Sequence, residues 1–267
     1  MRAIELPTEA DWSVCVRDAG DDRVLWAYRP ENLLRTASVG KVFLLAEVAR
    51  RLAAGELDPD EPLSWDAEEW VADSGLWYQL RTRSLPIADL CLLVGAVSDN
   101  LATNVLLRRV GIDSVRRIAT ELGCRESALL DRVRDGRRPE DPPTLSVGRA
   151  DELSAVLGRL HRGEVLGRDA ADRVLGWLAA DTDLSMVAGA FGLDPLAHLE
   201  PDRGVRLVNK TGTIDTARID IGLITAHDRT LVYAAAANWA DGHPEVRDRV
   251  LAAMGELGRV LADELGV

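Results

Sequence analysis

Hydrophobic residues follow two different periods along this chain, and the period changes near residue 38 and again near residue 205. In the outer stretches, β-branched and aromatic residues alternate or cluster between turn-rich segments, which predicts β-strands. In the middle, apolar residues recur at helical spacing. The predicted strands are Trp12–Val16, Arg23–Tyr28, Val205–Asn209, Ile219–Thr225 and Thr230–Ala237, and the predicted helices are Ser38–Leu52, Ile87–Val97, Asn100–Val110, Ile112–Leu122, Arg149–Leu160, Arg168–Leu178 and His243–Leu265.

The predicted strands fall into two groups, one near each end of the chain, with a helical block between them. This layout predicts an α+β fold in two parts: a five-stranded antiparallel sheet flanked by the first and last helices, and an all-helical insert. We expect residues 1–55 and 201–267 to form the sheet domain and residues 56–200 to form the helical domain. The groove between two such parts is a common place for a ligand pocket.

Composition argues against several classes of function. The formal net charge of −12 is spread along the chain, so a polyanion such as nucleic acid is repelled overall. The three cysteines are widely spaced in apolar surroundings, as is typical of buried free thiols. The four histidines stand far apart, with no acidic residue at metal-ligand spacing. The sequence therefore predicts no metal ion.

No apolar run reaches the roughly 20 residues that a membrane-spanning helix needs. The densest run, Leu90–Val97, is too short. The N-terminus also lacks a basic region followed by an apolar one, which is the pattern of a secretory signal. We therefore expect a cytoplasmic protein without a membrane partner.

Lysine is almost absent from the chain, and the two positions that keep it are informative. Of the 32 lysines and arginines, only Lys41 and Lys210 are lysine. Arginine does not lose its proton in a protein, whereas burial or a neighbouring positive charge shifts lysine toward its neutral form. A retained lysine is therefore a candidate base or compact cation, although codon bias with two leftover lysines explains the same count.

Ser38 precedes Lys41 by three residues at the predicted start of a helix. Positions i and i+3 lie on the same helix face, so the two side chains are expected to meet. The N-terminus of a helix disfavours the Lys41 ammonium, which helps the neutral amine to activate the Ser38 hydroxyl as a nucleophile. For an isolated S-x-x-K pair, the more common arrangement is a serine that caps the helix and a lysine that reaches solvent.

Two further segments shift that balance toward catalysis. The S-D-N segment Ser98–Asn100 lies between two predicted helices, and the K-T-G-T segment Lys210–Thr213 follows the predicted strand Val205–Asn209. Alone, the first is compatible with a helix cap or a turn, and the second with a strand end. Together with S-x-x-K, in this order and with both lysines inside the motifs, they form a specific set.

This set resembles the signature of class A β-lactamases and the related penicillin-binding proteins. Three longer segments, Thr36–Leu52, Leu90–Gly111 and Leu207–Thr225, also look like the corresponding segments of that family. The resemblance implies a serine hydrolase without a cofactor, whose small-molecule substrate is a β-lactam or a related amide or ester that carries a carboxylate.

The resemblance also implies a catalytic role for five residues. Ser38 attacks the substrate carbonyl and forms an acyl-enzyme, while Lys41 takes its proton. Ser98 relays a proton to the leaving nitrogen. Asn100 holds the substrate amide and the Lys41 amine, and Lys210 keeps the far wall of the site positive.

Substrate contacts follow from the same resemblance. Thr211 and Thr213 are expected to contact a substrate carboxylate, and Gly212 lets the substrate backbone lie along the strand. The backbone N–H groups of Ser38 and Thr213 look like an oxyanion hole, a feature typically worth a few kcal/mol of barrier for each donor. Arg218 occupies the place of the carboxylate-binding arginine of many class A enzymes.

Trp77 and Tyr78 stand roughly where the family has an aromatic residue at the lip of the cleft. We therefore include Trp77 among the expected substrate contacts. Anchoring in the core or at the surface explains both aromatic residues equally well.

The chain departs from the class A pattern in the segment that removes the acyl group. Class A enzymes activate water with a glutamate in an E-x-x-L-N motif, and no such motif follows Ser98–Asn100 here. The best match places Arg134 at the glutamate position, and arginine is not a base. Asp131, Asp135 and Glu140 are weak substitutes, because acidic residues in so charged a loop are usually solvated. Acylation is therefore better supported than hydrolysis.

Three functions stay open on these grounds. The first is a β-lactamase-like hydrolase of cyclic or peptidic amides. The second is a D,D-peptidase, esterase or transacylase that uses Ser38 on another acyl group. The third is a penicillin-binding sensor that stays acylated. A non-enzymatic scaffold is the weakest alternative, because all three motifs are intact.

Overall fold

The computed structural model describes residues 1–2 and 4–267. The strands in this part of the chain are β1 (Ala10–Asp18), β2 (Val24–Tyr28), β3 (Leu34–Arg35), β4 (Pro62–Ser64), β5 (Ser84–Pro86), β6 (Ala128–Leu129), β7 (Ser146–Gly148), β8 (Val205–Ile214), β9 (Ala217–Ala226) and β10 (Arg229–Trp239). The helices are α1 (Lys41–Ala53), α2 (Ile87–Val97), α3 (Asn100–Val110), α4 (Ile112–Glu121), α5 (Ala150–Arg162), α6 (Arg168–Leu178) and α7 (Pro244–Leu265).

The five longest strands form one antiparallel sheet in the spatial order β2–β1–β10–β9–β8. The first and last groups of strands join where β1 pairs with β10, with Val14 opposite Ala235. Strand β8 lies at one edge of the sheet, next to β9. The predicted five-stranded antiparallel sheet, split in sequence by a helical block, is confirmed.

The sheet separates two hydrophobic cores. On one face, α7 and the 3₁₀ turn Ala188–Phe191 cover side chains such as Leu207 and Tyr233. On the other face, α5 packs on β1 and β10, and α1 lies among α3, α4 and α6. Because the edge strand β8 borders the helical side, a groove forms between that edge and the helices.

The structure differs from the pattern in three places. Strand β8 continues through Lys210–Thr213 to Ile214, because β9 pairs with each of these residues. Helix α1 begins at Lys41, and Ser38 lies in a 3₁₀ turn, Ala37–Gly40, that precedes it. The middle of the chain is also not purely helical, since β4 to β7 are strands of two or three residues, too short to show a period of two.

Within the described residues, no helix is both long enough and apolar enough to cross a membrane.

Candidate active site

A cleft of about 770 Å³ opens beside the edge strand β8. Side chains from all three sequence motifs line it, namely Ser38, Ser98, Asn100, Thr211 and Thr213. The two lysines of the motifs, Lys41 and Lys210, are fully buried behind this lining. The structure therefore brings together segments that are up to about 170 residues apart in the sequence.

Ser38 lies at the N-terminal side of α1, in a turn that other residues hold in place. The preceding residue, Ala37, has a φ of 47°, in the left-handed region that side chains avoid. Such a conformation costs on the order of 1–3 kcal/mol and persists where surrounding contacts enforce it. Here the hydroxyl of Ser146 donates a hydrogen bond of 2.6 Å to the carbonyl oxygen of Ala37. Ser38 is half-buried and reaches the cleft.

The Lys41 amine makes three hydrogen bonds at the edge of the cleft. Its Nζ donates to the carbonyl oxygen of Ser98 (2.6 Å), to the hydroxyl oxygen of Ser98 (3.2 Å) and to Oδ1 of Asn100 (2.7 Å). Burial lowers the pKa of Lys41 well below its ordinary value, and the positive charge of Lys210 lowers it further. Both effects favour the neutral amine, which can accept a proton.

Asp99 fixes the turn that presents Ser98 and Asn100, although we did not predict a role for it from the sequence. Its Oδ1 caps α3 by accepting from the backbone N–H of Ala102 at 2.9 Å. Its Oδ2 accepts from the N–H groups of Leu76 (2.7 Å) and Trp77 (2.8 Å). Ser98 itself has a φ of 54°. The carboxylate therefore ties the segment around residue 76 to a strained turn at the cleft.

Gly212 lets β8 pass directly over the turn that carries Ser38. A side-chain carbon on Gly212 would collide with the carbonyl oxygen of Thr36 and would lie 3.3 Å from the backbone nitrogen of Ser38. The two predicted oxyanion-hole donors, in Ser38 and Thr213, thus belong to segments that are in close contact. Gly212 serves this approach of two backbones and does not itself line the cleft.

Lys210 pairs with Asp181, a residue for which the sequence predicts no role. The Lys210 Nζ lies 3.7 Å from Oδ2 of Asp181 and donates to the Thr211 carbonyl at 3.2 Å. Asp181 also accepts from the Thr211 N–H at 3.3 Å. Burial raises the pKa of Asp181 to about 6, and the charge of Lys210 opposes that rise. No motif surrounds Asp181, so only the folded structure reveals this partner.

A second buried carboxyl group, Asp220, lies on β9 opposite Thr211. It accepts hydrogen bonds from the hydroxyl of Tyr233 (3.0 Å), from Nδ2 of Asn209 (3.3 Å) and from the N–H of Ala188 (3.2 Å). Burial raises the pKa of Asp220 to about 7. These bonds link β8, β9 and β10 next to Lys210.

The expected place of Trp77 at the lip of the cleft is wrong. Its side chain is fully buried, and its indole N–H donates to the Thr82 carbonyl at 3.1 Å. The hydrogen bond from its backbone N–H to Asp99 draws it into the core of the helical part. Tyr78, which is half-buried, does not line the cleft either.

Arg218 is also not where the resemblance implied. It pairs with Thr213 across β8 and β9, but its guanidinium donates to the carbonyl oxygens of Ile214 (2.7 Å) and Ala217 (2.8 Å). It also lies over the ring of Trp239, 5.9 Å from the centroid. Satisfied by these partners in the tight β8–β9 turn, Arg218 is absent from the lining of the cleft.

Two arginines pair with Asp131, one of the acidic residues considered as a substitute for the missing glutamate. Arg134 and Arg137 bond to Oδ2 of Asp131 at 2.7 and 2.6 Å. Burial acts to raise the pKa of Asp131, but these guanidinium hydrogen bonds outweigh it and hold the pKa below its usual range. Glu140 is exposed and lies away from the cleft, whereas Asp135 is exposed and lines it.

Among the residues that the structure describes, no three His, Cys, Asp or Glu side chains are grouped so that they could hold a metal ion.

The fold is that of β-lactamases and penicillin-binding proteins. A β-lactamase from Sphaerobacter thermophilus DSM 20745 is 24% identical, with a TM-score of 0.81 over 97% of this chain and 92% of that one. A β-lactamase from Xanthomonas campestris pv. campestris is 22% identical, with a TM-score of 0.78 over 97% and 92%. A mutant of PBP-A, solved as an acyl-enzyme complex with penicillin G, is 16% identical, with a TM-score of 0.78 over 96% and 92%.

A model of the β-lactamase enzyme family matches residues 1–265. The chain therefore belongs to the β-lactamase enzyme family. No curated protein matches it by sequence.

Proposed function

We propose that this protein is a serine hydrolase of the β-lactamase type, in which a β-lactam or a related amide acylates Ser38. The observation that carries the proposal is the position of Lys41. Its buried amine is bonded to Ser98 and Asn100 at the cleft that Ser38 lines. A buried amine with a lowered pKa at the cleft of the nucleophile can serve as the base that attack on an amide requires.

The acylation step uses groups that surround this amine. Neutral Lys41 takes the hydroxyl proton as Ser38 Oγ attacks the carbonyl carbon, and the N–H groups of Ser38 and Thr213 stabilise the oxyanion. When the C–N bond breaks, Ser98 passes a proton to the leaving nitrogen, and the Lys41 ammonium returns one to Ser98. The hydrogen bond from Lys41 to the Ser98 hydroxyl oxygen, at 3.2 Å, supports this route.

Hydrolysis of the acyl-enzyme is proposed to be slow. Asp131 is bound by Arg134 and Arg137, so its carboxylate is a poor base for water. Asp135 lines the cleft and is the candidate water-activating carboxylate in this loop. Because Asp135 is exposed, solvent competes for its carboxylate, which favours slow deacylation over efficient turnover.

A pre-steady-state assay with a chromogenic cephalosporin tests the proposal. We expect a burst of about one equivalent of product for each protein molecule, followed by a slow steady rate. Ser38→Ala should lose the burst. Ser114→Ala is the matched control, because this serine of α4 binds Arg51 and does not line the cleft. A wild type without product formation, or a Ser38→Ala variant that keeps the burst, would contradict the proposal.

A further inference from the structure

Three arginines line the cleft, and one of them is not neutralised by an acidic partner. Arg134 bonds to Asp131 and also pairs with Asp141 at 3.1 Å, and Arg137 pairs with Asp131 at 2.6 Å. Among the residues that the structure describes, Arg35 has no carboxylate within 4.0 Å. Its positive charge therefore faces the cleft without a carboxylate in contact with it.

Neutral groups hold the Arg35 guanidinium in a fixed orientation. Its Nε donates to Oδ1 of Asn238 at 3.3 Å, and its Nη2 donates to the hydroxyl oxygen of Thr216 at 3.0 Å. Asn238 also bonds to the backbone N–H and carbonyl of Arg35, each at 3.0 Å. An arginine oriented in this way loses little side-chain entropy when it binds an anion.

The position of Arg35 in the cleft relates it to the acyl side of a substrate bound at Ser38. In the proposed reaction, the leaving nitrogen lies at Ser98, on the Lys41 side of Ser38. Arg35 is bonded to Thr216, in the turn after β8, and lines the same cleft as Ser38, Thr213 and Asp215. An acyl group that extends from the Ser38 ester away from Ser98 and along β8 would bring a substituent at its far end to this turn.

We propose that Arg35 is a specificity-determining residue that favours substrates with a carboxylate on the acyl side chain. The inference rests on the proposed acylation of Ser38. The carboxylate accepts a charge-assisted hydrogen bond from the guanidinium edge that Asn238 and Thr216 leave open. Asp215 also lines the cleft and opposes an anion there, so the guanidinium must supply the attraction.

Two penicillins that differ by one group provide the test. Benzylpenicillin and its α-carboxy derivative share the ring carboxylate, but only the derivative carries a carboxylate on the acyl side chain. The quantity measured is the ratio of their second-order acylation rate constants, derivative over parent. Arg35→Gln should lower this ratio about tenfold, the loss expected for one charge-assisted hydrogen bond.

Three further variants sharpen the test. Arg35→Lys, which keeps the positive charge but loses the planar arrangement of guanidinium N–H donors, should give an intermediate ratio. Asp215→Asn, which removes the opposing charge, should raise the ratio. Arg206→Gln is the matched control, because Arg206 is an exposed arginine of β8 outside the cleft lining, and its loss should leave the ratio unchanged.

The outcomes separate this inference from the proposed function. An Arg35→Gln ratio equal to the wild-type ratio, or equal losses for both penicillins, overturns the role of Arg35, because equal losses point to the shared ring carboxylate. If neither penicillin acylates the wild type, the proposed function itself has failed. Thermal melting of each variant shows whether a lost ratio accompanies lost structure.

Discussion

The side-chain amine of Lys41 lies 2.7 Å from Oδ1 of Asn100, inside a fully buried pocket of neutral acceptors. Three oxygen atoms of Ser98 and Asn100 orient the amine without supplying a compensating charge in contact with it. Desolvation without a paired carboxylate favours the neutral amine. Three donated bonds match the ammonium form, so burial and the neighbouring Lys210 charge are what suit Lys41 to act as a base.

Replacing Lys41 by arginine keeps the positive charge but removes the ability to accept a proton. We expect Lys41→Arg to slow acylation by about a hundred- to ten-thousand-fold, the usual contribution of a positioned base. The rate is measured with a chromogenic cephalosporin, and thermal melting checks that the variant folds. Acylation at the wild-type rate would show that Lys41 is not the base.

The acylation rate should fall at low pH, where Lys41 becomes protonated. The Lys210 charge helps to lower the pKa of Lys41, so removing that charge raises this pKa. We expect Lys210→Met to move the low-pH limb of the rate profile to higher pH. The readout is the pH at which the acylation rate falls, and the maximal rate of the variant does not affect it. An unmoved limb would mean that another group controls the profile.

Asp99 combines a helix cap with the anchoring of the Leu76 and Trp77 backbone. Asp99→Ala leaves buried N–H groups without acceptors, so we expect the free energy of unfolding to fall by roughly 1–3 kcal/mol. Asp99→Asn keeps one acceptor oxygen and should lose less. Urea denaturation of both variants checks the order, and an alanine variant as stable as wild type would be the contrary result.

Asp220 should make the protein less stable as the pH rises. Burial raises its pKa from 3.8 to about 7, so the folded state favours the protonated acid. The stability from this group is fully present below the unfolded pKa and is lost as the pH rises through the folded pKa. Asp220→Asn does not ionise. Its free energy of unfolding, relative to wild type, should therefore increase between about pH 4 and pH 8 by a few kcal/mol.

Urea denaturation at several pH values measures this difference. Asp248→Asn is the control, because it makes the same change of side chain at an exposed residue of α7. A flat difference for Asp220→Asn would show that Asp220 has an ordinary pKa in the folded protein.

The sequence predicts elements well where local pattern and capping decide them. Helices α2, α3 and α6 have the predicted bounds, because their apolar spacing runs from one end to the other. The local pattern of β8 ends at Asn209, whereas the strand continues to Ile214, because pairing with β9 and not local propensity carries it there.

The motifs predicted which residues share the cleft, since Ser38, Ser98, Asn100 and Thr211 all line it. Residues that act through partners distant in sequence could not be found in this way. Trp77 is buried because its backbone bonds to Asp99, and no sequence pattern encodes that contact.

The same limit applies to the residues that support or extend the site. Asp181 meets Lys210 only after folding, and Arg35 reaches the cleft only because Asn238 and Thr216 orient it. Neither residue stands in a motif. Both were therefore visible only in the structure.

The most direct test of the central claim is the mass of the intact protein during incubation with benzylpenicillin. We predict that the wild type gains the mass of one penicillin, that the adduct decays slowly once free penicillin is removed, and that Ser38→Ala gains none. A wild type that neither gains mass nor consumes penicillin, or an adduct that forms equally on Ser38→Ala, would contradict acylation at Ser38.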